Sequence, residues 1–275
     1  MILLLATAFG QAAPGSLSYT PEAGSFAPLR DHGAAPGPGW THAFADDVLF
    51  TSANLSWQHR PLVFHPDGGE RQDVLGEVAA LRMAASRRVG PLRVGLNMPL
   101  YLLTTSEFAT TEGPVLGDVE LWGSAWRPAG FWHVGGSLHA TGPLGGASRQ
   151  VGALSPGLQI WGLARHEGPV TLQFELGVDL SGESSLSGVR LDDRAEFVAA
   201  ASRPLGPVQA SVELAGSAGL HSLTERAAQT LEVGGHAWWE DEDGRWVRAG
   251  VSTGLTRGIG VPQARAELSV GLRRI

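Results

Sequence analysis

P-V-T-L-Q-F-E-L-G-V-D-L, residues 169 to 180, places Val170, Leu172, Phe174, Leu176, Val178 and Leu180 on one side of an extended chain. Thr171, Gln173, Glu175, Gly177 and Asp179 fall on the other, because successive side chains of a strand point to opposite faces. A strand of a soluble sandwich and a strand of a transmembrane barrel both give this alternation. They differ in which face is outermost, so the choice rests on the rest of the chain.

At 275 residues the chain is long enough for one large β domain or two ordinary ones. It has no cysteine, which excludes a disulfide framework and any thiolate metal site. A net charge of -7 without a basic stripe excludes a general nucleic-acid binder. The start, M-I-L-L-L-A-T-A-F-G-Q-A-A-P, has an apolar core from Ile2 to Phe9 and small residues at Ala12 and Ala13, and reads as a signal peptide over residues 1–13 that lacks a basic n-region. Five prolines between Pro14 and Asp47 mark residues 14–47 as a Pro/Gly-rich arm. No run of 18 apolar residues occurs, so no transmembrane helix is expected.

Short turns recur as R-R-V-G-P (87–91), R-P-A-G (127–130), R-H-E-G-P (165–169), R-P-L-G-P (203–207) and E-D-G-R (242–245). Their glycines, Gly90, Gly130, Gly168, Gly206 and Gly244, stand 40, 38, 38 and 38 residues apart. Longer Ser/Thr/Gly-rich connections lie between them. Each repeat is therefore two strands, one tight turn and one long loop. Removing the connections leaves about 12 residues per strand, where a tilted membrane-spanning strand needs roughly 9 to 11 and a common globular strand roughly 5 to 6. The reading is all-β: one twelve-stranded, antiparallel, up-and-down transmembrane barrel over residues 48–275. Its strands are expected near 50–60, 72–86, 91–103, 116–127, 131–141, 152–165, 169–181, 191–203, 207–218, 227–240, 245–256 and 263–273. An even strand count with long loops on one side and short turns on the other is the pattern of outer-membrane barrels.

The apolar faces carry no charge, as in Leu92, Val94, Leu96, Met98 and Leu100 or Ala264, Ala266, Leu268, Val270 and Leu272. Trp126, Phe131, Trp132, Trp238, Trp239 and Trp246 crowd around two of the tight turns, which suggests an aromatic girdle at one membrane interface. Two strands break the pattern. Pro61 interrupts the first, and Glu77 and Arg82 on opposite parities suggest a bulge in the second.

The segments A-N-L-S-W-Q-H-R-P-L-V-F (53–64), G-L-N-M-P-L-Y-L (95–102) and V-L-G-D-V-E-L-W (115–122) resemble the barrel region at the N-terminus of OmpA-family outer-membrane proteins from high-GC Gram-negative bacteria. The resemblance covers about residues 48 to 275 and implies a bacterial outer-membrane location. In that family an acidic repeat linker and a peptidoglycan-binding domain usually follow. Here the sequence stops at L-S-V-G-L-R-R-I without the terminal aromatic of many barrels, and peptidoglycan binding is not carried over.

The inward faces would hold Asp118, Glu120, His133, His139, Gln173, Glu175, Asp179, Arg194, Glu196, Glu213, Glu232, His236, Arg248, Arg265, Glu267 and Arg273, hydrating a lumen. Twelve strands lie between the eight that side chains just fill and the sixteen of aqueous channels, so a narrow or partly plugged pore is expected. The function expected is a passive pore for small solutes or a structural membrane protein, with outer-membrane lipid, lipopolysaccharide and the barrel assembly machinery as partners. No nucleic acid, cofactor or metal is expected, since the histidines lack a ligand spacing such as H-E-x-x-H. One alternative is a hydrolase acting on lipid. Pairing the strands with Trp126 opposite Phe131 sets Asp118 opposite His139 and Glu120 opposite Ser137, and a carboxylate orienting a His beside a Ser is nucleophile chemistry. The other alternative is a soluble all-β binding module.

Overall fold

A computed structural model describes residues 49–64, 72–105, 114–142, 156–180, 184–186, 189–191, 193–220, 229–256 and 262–274. The proposed signal peptide and arm lie outside these residues. The strands are β1 (Leu49–Phe64), β2 (Gln72–Val89), β3 (Leu92–Thr104), β4 (Val115–Leu116), β5 (Val119–Ala129), β6 (Trp132–Gly142), β7 (Gly157–His166), β8 (Thr171–Leu180), β9 (Ser184–Leu186), β10 (Val189–Leu191), β11 (Arg194–Leu205), β12 (Val208–Gly219), β13 (Gln229–Glu240), β14 (Arg245–Gly254) and β15 (Ala264–Arg274).

Each long strand pairs antiparallel with its sequence neighbour, and β1 meets β15 from Leu49↔Arg274 to His59↔Ala264. That last ladder closes the sheet on itself. Twelve strands form the wall; β4 adds a short rung beside β3, and β9 and β10 make a separate two-stranded ribbon between β8 and β11. A single closed sheet has no second layer to cover its outer face, which rules out two stacked sheets. It also leaves no open edge.

Residues 169–180 show which face of the wall is outermost. Along β8, Glu175 is 5% exposed and Leu176 69%. The same holds around the wall, where Leu121, Val212 and Val251 are exposed while Gln159, Glu213 and Arg248 are buried. The polar face is enclosed and the apolar face is outermost, an inversion that only a lipid surround stabilises.

Tight turns set the hairpins. Gly90, Gly130, Gly206 and Gly244 have φ between 61 and 76°, a region that non-glycine residues rarely adopt. Gly90-Pro91, Gly130-Phe131 and Gly206-Pro207 are the loops of two-residue hairpins, and glycine first with a negative-φ residue second is the type II′ pattern that suits strand twist. Gly168 sits instead in a longer connection and does not take positive φ.

Three irregularities involve β2, and one lies within it: between Leu62↔Leu75 and Val63↔Asp73 the β2 residue Val74 has no partner on β1. Residues Arg60 and Pro61 of β1 oppose one residue of β2, with Arg60 at φ 51°, and the β2–β3 ladder shifts between Ala79 and Ala80. The irregularity expected between Glu77 and Arg82 is present at Ala79–Ala80, but its extra residue, Leu102, is on β3, so Val78, Ala80, Ala84 and Ser86 of β2 stay buried in unbroken alternation. Glu77 belongs to the outward face, where its Oε1 lies 2.6 Å from Nδ1 of His59 on β1, and the Trp57 ring stacks on His59.

Candidate functional site in the barrel interior

Alternation fixes the interior, because each strand contributes every second residue to it. Of the sixteen residues read as lumen-facing, Asp118, His139, Gln173, Glu175, Asp179, Glu196, Glu213, Glu232, His236, Arg248 and Arg265 are buried. Glu120, His133, Arg194, Glu267 and Arg273 are half-buried. Within a wall one sheet thick, a buried charged side chain points inward.

These residues gather into three polar groups. On β12 to β15, Glu213 lies 3.1 Å from His236 and 3.5 Å from Arg248, while Arg265 lies 3.4 Å from Glu232 and 3.8 Å from Glu267. The Ser252 hydroxyl donates to Glu232, and Arg273 meets Glu240 at 2.6 Å at the turn end. On β7, β8 and β11, Gln159 donates to Asp179 at 3.1 Å, Arg194 approaches the same carboxylate at 3.9 Å, and Gln173 donates to Glu175 at 2.5 Å. Pairing across neighbouring strands offsets the cost of burying these charges.

The third group is the Ser-His-carboxylate set. His139 Nδ1 stands 2.7 Å from Glu120 Oε1, and its Nε2 stands 3.0 Å from Ser137 Oγ; Asn97 donates to the same Glu120 oxygen at 3.1 Å. The register differs from the expected one. His139 faces Trp122, Ser137 faces Ser124 and Glu120 faces Thr141, because the turn holds only two residues and Ala129 pairs with Trp132. Glu120 therefore reaches His139 on the diagonal rather than from beside Ser137. Trp122 stacks on His139 with ring centroids 6.1 Å apart. The strand residues flanking Ser137 are paired to β5 on one side and β7 on the other, so their amides are committed to ladders and cannot receive an oxyanion. Its hydrogen bonds tie β3, β5 and β6 together.

The six aromatics divide. Phe131, Trp132 and Trp239 are exposed on the outside. Trp132 meets His166 edge-on and Phe174 at a tilt. Trp238 and Trp246 are buried with Phe50 in an interior cluster, and Trp126 packs inside against Trp161 and Leu163. This corrects their assignment to an outer girdle. Parity carried the signal: Trp126 shares a face with Glu120, and Trp246 shares one with Arg248.

Residues not anticipated inside include Asn54, Arg93, Asn97, Gln159, Arg165, Trp122 and Trp161. The two tryptophans lie flat on glycines directly across the ladder, Trp122 on Gly95 and Trp161 on Gly177; a Cβ at either glycine would collide with the ring. Trp246 uses Gly271 in the same way. The rings thereby hug the wall. Among the described residues no group of three His, Cys, Asp or Glu is placed to hold a metal ion.

No family model matches the chain. No curated protein matches it either. Among solved structures it is similar to an outer membrane channel from Pseudomonas putida, with a TM-score of 0.64 and 11% identity over 87% of this chain and 100% of that one. The NanC porin superposes with a TM-score of 0.54 at 7% identity, covering 82% of this chain and 99% of the porin. The translocator domain of the autotransporter NalP from Neisseria meningitidis gives 0.50 at 15% identity, covering 84% and 90%. At these identities the likeness is one of fold.

Proposed function

We propose that the chain is a bacterial outer-membrane β-barrel acting as a passive pore for small solutes. The carrying observation is the inversion of faces: an aliphatic exterior, free of charge across its middle, around a closed wall whose interior holds glutamates, arginines, histidines and amides. A polar lumen with fixed charges of both signs replaces part of a solute's hydration and sets which solutes pass. The sixteen polar residues named above would line the path. Phe131, Trp132 and Trp239 would form the interfacial girdle. The two neighbours described as a channel and a porin support the same reading.

The finer parts of the proposal rest on sequence. Residues 1–13 would direct export and 14–47 would form the arm. The motifs at 53–64, 95–102 and 115–122 support kinship with the barrel region of OmpA-family proteins of Gram-negative bacteria. Outer-membrane lipid, lipopolysaccharide and the assembly machinery would be the partners, and no catalytic step is assigned.

Planar-bilayer recording of the purified chain tests the pore. Stable ohmic steps are expected. Silence from protein that migrates as a folded barrel and shifts on heating would leave a structural membrane protein instead.

A further inference from the structure

Three of the tight turns share a feature that a pore does not require. An arginine stands three residues before the glycine in each: Arg87 before Gly90, Arg127 before Gly130 and Arg203 before Gly206. Alternation puts all three on the outward face, Arg87 after Met83 and Ala85, Arg127 after Leu121 and Ala125, Arg203 after Phe197 and Ala201. Each is exposed, and none has a hydrogen bond or ion pair with another described residue. Arg245, at the same rim, is by contrast held by Asp243 at 2.7 Å. The fourth copy of the motif supplies an internal contrast: the longer connection after β7 leaves Arg165 on the inward parity, buried and 3.6 Å from Glu167.

The surroundings say what meets these guanidinium groups. Val89, Phe131, Trp132 and Leu205 are exposed beside them and mark the end of the apolar belt. Indole and phenyl rings at such a border sit at headgroup depth, and an arginine stem can lie along the belt while its head reaches the phosphates. The planar fork fits a phosphate with two parallel hydrogen bonds. At the opposite, loop-side rim the outward Glu77 of β2 is held by His59 of β1 at 2.6 Å.

We infer that Arg87, Arg127 and Arg203 form a binding rim for anionic glycerophospholipid headgroups in the leaflet that surrounds the tight turns. The inference rests on the membrane-spanning reading and is independent of conduction.

The test uses the full chain refolded into phosphatidylcholine vesicles in which part of the lipid is brominated phosphatidylglycerol or brominated phosphatidylcholine. Outward Trp132 and Trp239 report local bromine by fluorescence quenching. The association of phosphatidylglycerol relative to phosphatidylcholine should be about two- to five-fold at low salt and fall toward one at about 0.5 M salt. In the triple variant R87Q/R127Q/R203Q it should be one at any salt, with Arg245→Gln unchanged from wild type. Should the triple variant fail to fold, Arg127→Gln alone, beside Trp132, should lower the preference. A ratio of one in the wild type, or a preference that the variants keep, overturns the inference. So does displacement of brominated phosphatidylglycerol by lipid A as readily as by unlabelled phosphatidylglycerol. Absence of quenching by brominated phosphatidylcholine would instead sink the membrane-spanning reading beneath it.

Discussion

At the scale of a single residue, the outer and inner faces impose opposite rules on neighbouring positions. Leu176 is exposed at the middle of β8 and Glu175 is buried beside it. Leu176→Arg should cost about 2 to 4 kcal/mol of folding stability in lipid, the usual penalty for a charge at mid-bilayer on the lipid face. Glu175→Gln should cost less than Leu176→Arg, since the interior amide oxygen still accepts the donation from Gln173. Urea unfolding in vesicles separates the two, and equal losses would mean the faces are misassigned. Gly177→Val is a third kind of change. It drives a side chain into the Trp161 ring, so it should cost about 1 to 3 kcal/mol as overpacking does. Parity was legible in the sequence and fixed the inward set. Nearness to a turn does not put Trp126, Trp238 and Trp246 in the girdle, because their parity places them on the inward face. The glycine partners of the rings were not legible, because they depend on register.

At the scale of the element, register is where the sequence falls short. Strand existence follows from alternation, and ten of the expected spans match long strands within a few residues. The cross-strand pairing of β5 and β6 does not follow, because the chain alone does not say whether R-P-A-G-F-W turns over four residues or two. Positive φ at Gly130 decides for two, and every pair slides accordingly. The interruption between β4 and β5 was also unforeseen. Gly117 donates to the Pro99 carbonyl at 2.8 Å, while Pro99 has no N–H to return, and a Cβ at Gly117 would meet Tyr101 and Pro99. The β3 seam on this side is therefore the weak one. Its ladder runs from Leu92↔Ala125 to Asn97↔Glu120, then resumes only at Leu100↔Leu116. The β11–β12 ladder is unbroken from Arg194↔Gly219 to Leu205↔Val208. Amide exchange at residues 115–119 should be faster than in the middle of β12 by orders of magnitude, as for locally opening segments. Comparable protection in both places would refute the weak seam.

At the scale of the whole molecule, the 38-residue repeat announced closure: an even number of similar hairpins, each too apolar on one face to stand alone, completes itself only as a ring. Charge inside that ring then sets what it passes. The described inward acids are Asp118, Glu120, Glu167, Glu175, Asp179, Glu196, Glu213, Glu232, Glu240 and Glu267, and the inward arginines are Arg82, Arg88, Arg93, Arg165, Arg194, Arg248, Arg265 and Arg273. Ten against eight leaves a difference of two negative charges, counting histidine as neutral. Most of these groups are paired across strands, so their fields cancel within a few ångströms and only the small excess acts along the axis. The screening length is about 10 Å at 0.1 M salt and about 30 Å at 0.01 M. A weak cation preference should therefore appear in reversal potentials across a salt gradient and grow as both solutions are diluted. Glu196→Gln should reduce it and Arg194→Gln should strengthen it, because each removes one fixed charge from the same stretch of β11. Anion selectivity in the wild type, or selectivity that ignores both substitutions, would mean that these groups do not face the conducting path.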